Sequence, residues 1–400
     1  MLESIKRIDS AEVNGKRVLV RADLNVPTAD GKVTDATRIE QVLPLIRDLS
    51  QRGAKVVVMS HFGRPKGKRV EEMSLKPVAD KIAEMLAPIS VHFAPDCIGE
   101  EAKAAVNALE PGGVCVLENL RFHAGEEAND AAFAAALAEL GDIYVNDAFS
   151  AAHRAHASTE GIAHLLPAYA GPAMMSEIEA LTIALEKPHR PVAALIGGAK
   201  VSTKIDVLSN LVEKVNLLVI GGAMANTFLH VEGRGIGNSL FEPGEANTVE
   251  QIITNATESG CQILLPKDAV VAPELRKGAA TEVRSVTDIP DDAMILDIGP
   301  DTVAEISARL ADCHTALWNG PLGAFEVAPF GEGTFAVARE VARLTEEGGV
   351  TSIAGGGDTV AALNAAGVTD AFSYVSTAGG AFLEWLEGRE LPGVAALKSA

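Results

Sequence analysis

The sequence predicts an α/β fold in two domains, each a mainly parallel sheet flanked by helices. Three observations carry this. The chain has 400 residues, too many for one ordinary hydrophobic core. Short β-branched runs alternate with Ala/Leu/Glu-rich stretches along its whole length, the order that gives parallel sheets wrapped by helices. The residues that follow the strand-like runs also differ between the halves: arginine and histidine in the first, glycine in the second.

In the first half the clearest strands are expected over 17–20, 55–59, 114–117 and 143–145. In the second they fall over 192–196, 217–220, 263–265, 294–296, 315–317 and 352–354. Helices are expected over 76–86, 130–140, 202–213, 302–310 and 334–344. The longest apolar stretch, 215–229, is broken by Asn216, Gly221, Gly222 and Asn226. It reads as strand, glycine turn and helix, and no run reaches the ~18 apolar residues of a membrane span. No Ser/Gly tether marks a domain boundary. A turn at 170–172 followed by a helix over 174–185 reads as a stiff connector between domains at 1–170 and 171–384.

Composition narrows the function. At 48% hydrophobic the chain can fill two cores, whereas 4% aromatic is too little for a surface that stacks single-stranded nucleic acid. A net charge of −20 disfavours DNA and anionic membranes as partners. The charge is uneven, −5 over residues 1–170 and −15 over 171–400, and the first half holds six of the nine histidines. Cys97, Cys115, Cys261 and Cys313 form no CxxC pair and read as buried reduced thiols of a cytoplasmic protein. The first ten residues lack the apolar core of a signal peptide.

Ligands of open parallel sheets bind beyond the carboxyl ends of the strands. In the first half those ends lead into Arg21-Ala22-Asp23-Leu24-Asn25, His61-Phe62-Gly63-Arg64, Arg121, and His153-Arg154 with His156. Arg38 lies in a short loop-like stretch after the first strand. Any one of these arginines could be an ordinary surface ion pair. As a set they form a rim whose planar forks suit phosphate and carboxylate.

In the second half the ends lead into Gly197-Gly198-Ala199-Lys200, Gly221-Gly222, Asp297-Ile298-Gly299, Asn319-Gly320 and Gly355-Gly356-Gly357-Asp358-Thr359. Glycines allow close backbone approach, and helix N-termini receive phosphate. Lys200 and Lys204 are spaced to share one face at the start of a helix. Asp358 reads either as an Mg²⁺ ligand or as a helix cap. There is no GxxxxGK[ST] and no GxGxxG, so neither a P-loop enzyme nor a dinucleotide dehydrogenase is indicated.

Nine segments then converge, in order: RADLNVP (21–27), SHFGRP (60–65), LENLRF (117–122), VNDAFSAAHRAHAS (145–158), GGAKVSTKI (197–205), GGAMANTFL (221–229), DIGP (297–300), WNGPLGAFE (318–326) and GGGDT (355–359). With them the sequence resembles the phosphoglycerate kinase family over essentially its whole length. The resemblance implies two Rossmann-like domains separated by a cleft and a helical hinge, with residues 385–400 packing back on the first. It implies reversible transfer of the acyl phosphate of 1,3-bisphosphoglycerate to MgADP, giving 3-phosphoglycerate and MgATP, by a cytoplasmic monomer.

Carried over residue by residue, the phosphoglycerate would meet Asp23, Leu24, Asn25, Arg38, His61, Phe62, Gly63, Arg64, Arg121 and Arg154. The nucleotide would meet Lys204, Asn319, Glu326, Gly356, Gly357, Asp358 and Thr359, with Asp358 on Mg²⁺. Arg38 and Lys200 would be the catalytic cations. Three positions depart from the family pattern: Ser150, Ala378 and Phe382. A different acyl-phosphate kinase fits the ordered motifs less well, and a silent nucleotide-binding protein would need damage at Arg38, Lys200, Lys204 or Asp358, all of which are intact.

Overall fold

The structure, a computed structural model, describes residues 4–398. Within them the chain divides into two compact units, residues 4–179 with 390–398, and residues 180–389. Residues 1–3 and 399–400, which the sequence analysis placed with the first domain, lie outside the described residues.

The first unit is built on a six-stranded sheet. Its order is Val91–Ala94, Val114–Leu117, Lys55–Met59, Arg17–Arg21, Ile143–Asn146, Ala168–Ala170. Every pairing is parallel, so the carboxyl ends emerge along one edge. The central strands are Val/Leu-rich and buried on both faces, the pattern of a sheet covered on both sides. Helix Thr37–Gln51 packs Ile39, Val42, Leu43, Ile46 and Leu49 into the core formed with Val18, Val20, Val56 and Val58.

Arg38 therefore stands in the first turn of a helix, not in the loop-like stretch expected of it. Pro44 inside that helix hides it in the sequence, because an interior proline removes a backbone hydrogen bond. The apolar stripe outweighs that loss. Near the other end of the chain, Gly393 N–H donates to the Ala152 carbonyl at 2.8 Å, and Lys398 pairs with Ile5.

The second unit has a six-stranded parallel sheet ordered Gln262–Leu264, Leu217–Ile220, Val192–Ile196, Thr315–Asn319, Thr351–Gly355, Tyr374–Ser376. Strand Met294–Ile298 is not among them. It joins a separate antiparallel sheet with Asp268–Ala272 and Glu282–Ser285. The glycine after it thus belongs to no parallel strand end, since an apolar run of that length does not reveal strand direction. Gly221-Gly222 leads from strand Leu217–Ile220 directly into helix Ala223–Val231, as the pattern indicated.

The division between units falls inside helix Pro172–Leu181, which continues as a π-helical turn over Thr182–Glu186. The start of that helix is capped from the first sheet. Asp147 Oδ1 accepts the backbone N–H groups of Ala173 and Met174 at 2.8 and 3.1 Å.

Candidate active site

In the first unit, two strand ends meet through Asn119. Its Oδ1 accepts from Phe62 N and Arg121 N at 3.1 and 3.0 Å, and its Nδ2 donates to Phe62 O and Met73 O at 2.7 and 2.9 Å. One buried amide, with every hydrogen-bonding position filled, holds the loop after Lys55–Met59 against the turn after Val114–Leu117. Gly63 ties in a third end. Its N–H donates to Asn25 Oδ1 at 2.9 Å, and its carbonyl accepts from Arg121 Nη1 at 2.9 Å. Its φ of +60° suits a residue without a Cβ.

Arg38 lies over this assembly, half-buried. Its Nη1 pairs with Asp23 Oδ2 at 3.0 Å and donates to Asn25 O at 3.1 Å. Ser150 Oγ donates to the same Asp23 oxygen at 2.5 Å. His61 is buried beside them. Arg21 Nη2 donates to its Nδ1 at 3.0 Å, and a guanidinium has no acceptor, so the ring proton sits on Nε2. Burial, then the charges of Arg21, Arg121 and Arg38, hold His61 well below the usual histidine range. It is a neutral donor at physiological pH. His156, held down to about 4 by burial and by Arg121 and Arg21, is neutral too. Burial also lowers Arg121, which lies in the field of Arg21 and Arg154. Arg38, His61, Arg121 and Arg154 thus share one electrostatic neighbourhood.

Other residues named from the sequence stand apart. Arg21 is wholly buried and donates to Ser158 Oγ and Ala22 O at 2.8 and 2.6 Å, so its charge supports the site rather than facing a ligand from the rim. Ser158 passes the chain of bonds on to buried Glu126 at 2.6 Å. Leu24 and Phe62 put their side chains into the hydrophobic core, which leaves their backbone for any ligand. Arg154 is exposed, with Nε on His153 Nε2 at 3.1 Å. Arg64 is exposed and, among the described residues, no hydrogen bond or ion pair ties it to the cluster.

In the second unit, Lys204 is the organising cation. Its Nζ donates to Gly197 O, Asn319 O and Asn319 Oδ1 at 2.7, 3.0 and 2.6 Å. Burial lowers its pKa to about 8, partly countered by Asp358. Asn319 Nδ2 donates to Gly355 O at 2.8 Å. Thr359 Oγ1 donates to Gly355 O at 2.8 Å and accepts Gly320 N–H at 2.7 Å. Three parallel strand ends are thereby pinned together. Gly356, at φ +99°, would bring a Cβ to 2.7 Å from Asn319 Nδ2.

Lys200 and Lys204 do not share a helical face. The helix begins at Ile205 with Lys204 at its cap, and residues 199–203 form turns and bends. Lys200 stays exposed while Lys204 is drawn inward by the three acceptors. A mainly apolar cavity of about 300 Å³ opens beside them, lined by Gly198, Gly222, Leu240, Met294 and Leu322, with exposed Glu326 and Asp358 at its polar positions. Gly357 and Asp358 begin helix Gly357–Ala366, whose N-cap position is taken by Gly356 rather than Asp358.

Sequence reasoning missed Asn119, Ser150, Glu126 and also Ser60, whose Oγ accepts the Leu24 N–H at 3.0 Å, as parts of the site. Three of them lie in the motifs quoted above, at or near strand ends, and that position was the available signal. Glu126, which follows LENLRF but belongs to none of those motifs and to no strand end, gave none.

Glycine-lined strand ends around a largely buried lysine in one unit, and an arginine cluster with neutral histidines in the other, are two centres built from groups that suit phosphate. A family model described as phosphoglycerate kinase matches residues 8–389. The chain belongs to the phosphoglycerate kinase family. It is 59% identical over 391 residues to the phosphoglycerate kinase of Methylobacterium radiotolerans, covering 98% of each chain. It is 58% identical over 400 residues to that of Agrobacterium fabrum, covering 100% of each. The phosphoglycerate kinase structure from Coxiella burnetii superposes with a TM-score of 0.92 at 42% identity, covering 98% of each chain. That from Pyrococcus horikoshii gives 0.80 at 31%, again covering 98% of each. The chain is an enzyme of glycolytic phosphoryl transfer that uses a nucleotide co-substrate.

Proposed function

We propose that the first unit holds the phosphoglycerate and the second the magnesium nucleotide, with reversible transfer of the acyl phosphate of 1,3-bisphosphoglycerate to ADP. The observation that carries this is the cluster of Arg38, Arg121 and Arg154 around a neutral His61 at parallel strand ends. Such a set binds a small polyanion: the guanidinium forks take phosphate and carboxylate, and the Nε2–H of His61 donates without adding charge. Arg64 would join on ligand binding, and Asp23 and Asn25 would take the polar groups of the glycerate.

In either direction the attacking oxygen is already anionic, so no general base is needed. The chemistry reduces to positioning and to neutralising charge on the moving phosphoryl group. Arg38 and Lys200 are assigned that role. Lys204 reaches a nucleotide phosphate by exchanging one of its three present acceptors for a phosphate oxygen. The glycine-edged cavity takes the base, and Glu326 accepts from the ribose hydroxyls.

Asp358 suits Mg²⁺: it is an exposed carboxylate at a helix start beside the lysine, and Mg²⁺ is typically held by one or two carboxylates plus phosphates. Held there by Asp358, the ion would offset part of the negative charge of the phosphates. Gly356, Gly357 and Thr359 shape the backbone around it.

Because each unit carries one substrate, transfer requires the reacting atoms to approach, with bending at the helix over 172–186. Small-angle scattering should show compaction when both substrates are present. The net charge of −20 fits a cytoplasmic protein without nucleic-acid or membrane partners, and no helix among the described residues is long and apolar enough to cross a membrane. The protein is expected to act as a monomer. The deciding assay supplies MgATP and 3-phosphoglycerate to the folded protein and follows ADP through a coupled reaction. Turnover that does not depend on 3-phosphoglycerate would reject the reading.

A further inference from the structure

The edge strand Val91–Ala94 ends beside the arginine cluster without contributing to it, and a different chemistry gathers there. Asp96 and Cys97 follow the strand directly. His123 approaches from the turn that carries Arg121. One ligand atom from each of Asp96, Cys97 and His123 lies within 4.8 Å of the others. His123 Nε2 is 2.6 Å from Asp96 Oδ1, and Cys97 N–H donates to the same carboxylate oxygen at 2.6 Å. We propose that Asp96, Cys97 and His123 bind a thiophilic divalent cation of the zinc class.

The donor set selects the metal. Sulfur and imidazole nitrogen are poor ligands for Mg²⁺ and good ones for Zn²⁺, Co²⁺ or Cd²⁺. Three protein ligands with water as the fourth is the open tetrahedral arrangement, at about 2.3 Å to sulfur and about 2.0–2.2 Å to nitrogen and oxygen. Those lengths put ligand atoms roughly 3.3–3.7 Å apart, so the His123–Asp96 hydrogen bond opens and the thiol moves inward, each by roughly an ångström. Charge also balances: a thiolate and a carboxylate neutralise the dication, which a buried site requires. The step releases one proton, from the Cys97 thiol to solvent. Without a metal the thiol is kept protonated by burial and by the charges of Asp96 and Glu126, so it is no nucleophile. The half-buried Asp96 and His123 leave a route in, and a cavity of about 540 Å³ opens on the His123 side.

The test uses the full chain, freed of metal and kept reduced without thiol reagents, in the absence of nucleotide. Zn²⁺ is titrated calorimetrically and Co²⁺ by absorption. One equivalent per chain and a thiolate-to-cobalt charge-transfer band are expected. Cys97→Ser should abolish the band, and His123→Gln should weaken zinc binding at least ~10-fold. Both variants should keep the wild-type circular dichroism and turnover, and Cys115→Ser should keep the band. A wild-type protein with no such band at saturating cobalt would overturn the proposal. So would a band that survives Cys97→Ser, or unchanged zinc affinity in His123→Gln.

Discussion

Lys204 Nζ lies 2.6 Å from Asn319 Oδ1, and its other two donors end on the carbonyls of Asn319 and Gly197. All three N–H groups are used, yet every acceptor is neutral, which is why burial prevails and the pKa falls to about 8. A nucleotide phosphate would restore a formal countercharge and raise it. Nucleotide binding at pH 8 should therefore take up about half a proton, and almost none at pH 6.5, where the lysine is already charged. Calorimetry in buffers of different ionisation enthalpy reads this directly. Identical uptake in Lys204→Met would assign the proton elsewhere.

Arg38 is half-buried and anchored by Asp23 and Asn25, which fixes its guanidinium before substrate arrives. Arg38→Ala should lower kcat by ~10²–10⁵-fold while leaving the fold intact, by analogy with other cations aimed at a transferring phosphoryl group. Steady-state kinetics with circular dichroism decides it, and a near-normal kcat would remove the role.

Ser150 donates to the same Asp23 oxygen that pairs with Arg38. It offsets part of the carboxylate's pull on the guanidinium. Ser150→Ala should tighten the Asp23–Arg38 pair and raise the KM for 3-phosphoglycerate by roughly 2–10-fold, a fraction of the value of one hydrogen bond to a charged group, with the KM for ATP unchanged. Equal changes in both constants would contradict a local effect.

Asn119 makes four hydrogen bonds in a buried position. Asn119→Ala strands the Phe62 and Arg121 amides and two carbonyls. A loss of about 2–5 kcal/mol in unfolding free energy is expected, together with weaker 3-phosphoglycerate binding, because the loops that carry His61 and Arg121 lose their shared anchor. Denaturant titration and substrate titration test the two halves separately.

Asp147 caps helix Pro172–Leu181 through one oxygen, and burial pushes its carboxyl up to about 7. A carboxyl raised in the folded state contributes stability that is fully present below its unfolded pKa near 4 and is lost as pH rises through 7. Asp147→Asn keeps an oxygen acceptor for both N–H groups and cannot ionise. Its stability relative to wild type should therefore improve between pH 4 and 7, by about 4 kcal/mol at most. Denaturation midpoints across that range check it, and a constant difference would refute the titration.

Much of the site was legible because parallel strands deliver whatever follows them to one edge. Val/Leu runs such as 55–59 and 192–196 announced the strands, and the next few residues were then site candidates by position alone. The exceptions share a cause. Helix Thr37–Gln51 was obscured by Pro44, whose local cost is outweighed only by burying Ile39, Val42, Ile46 and Leu49. Strand Met294–Ile298 looks like its parallel neighbours, and only its antiparallel pairing with Asp268–Ala272 separates it from them.

The sequence by itself determined the α/β class, the division of labour between an arginine-bearing and a glycine-bearing half, and the family. These follow from short-range pattern and residue type, which need no partner to be read. Tertiary structure alone decided which charges face outward. Arg21 ends strand Arg17–Arg21 and Arg38 opens the helix Thr37–Gln51 that comes after it, and both read as rim arginines in the sequence, yet one is enclosed by Ser158 and His61 and the other stands half-exposed on Asp23. Lys200 and Lys204 diverge in the same way. Burial is set by residues more than a hundred positions away, such as Ser158 for Arg21 and Asn319 for Lys204, and local spacing carries no record of them.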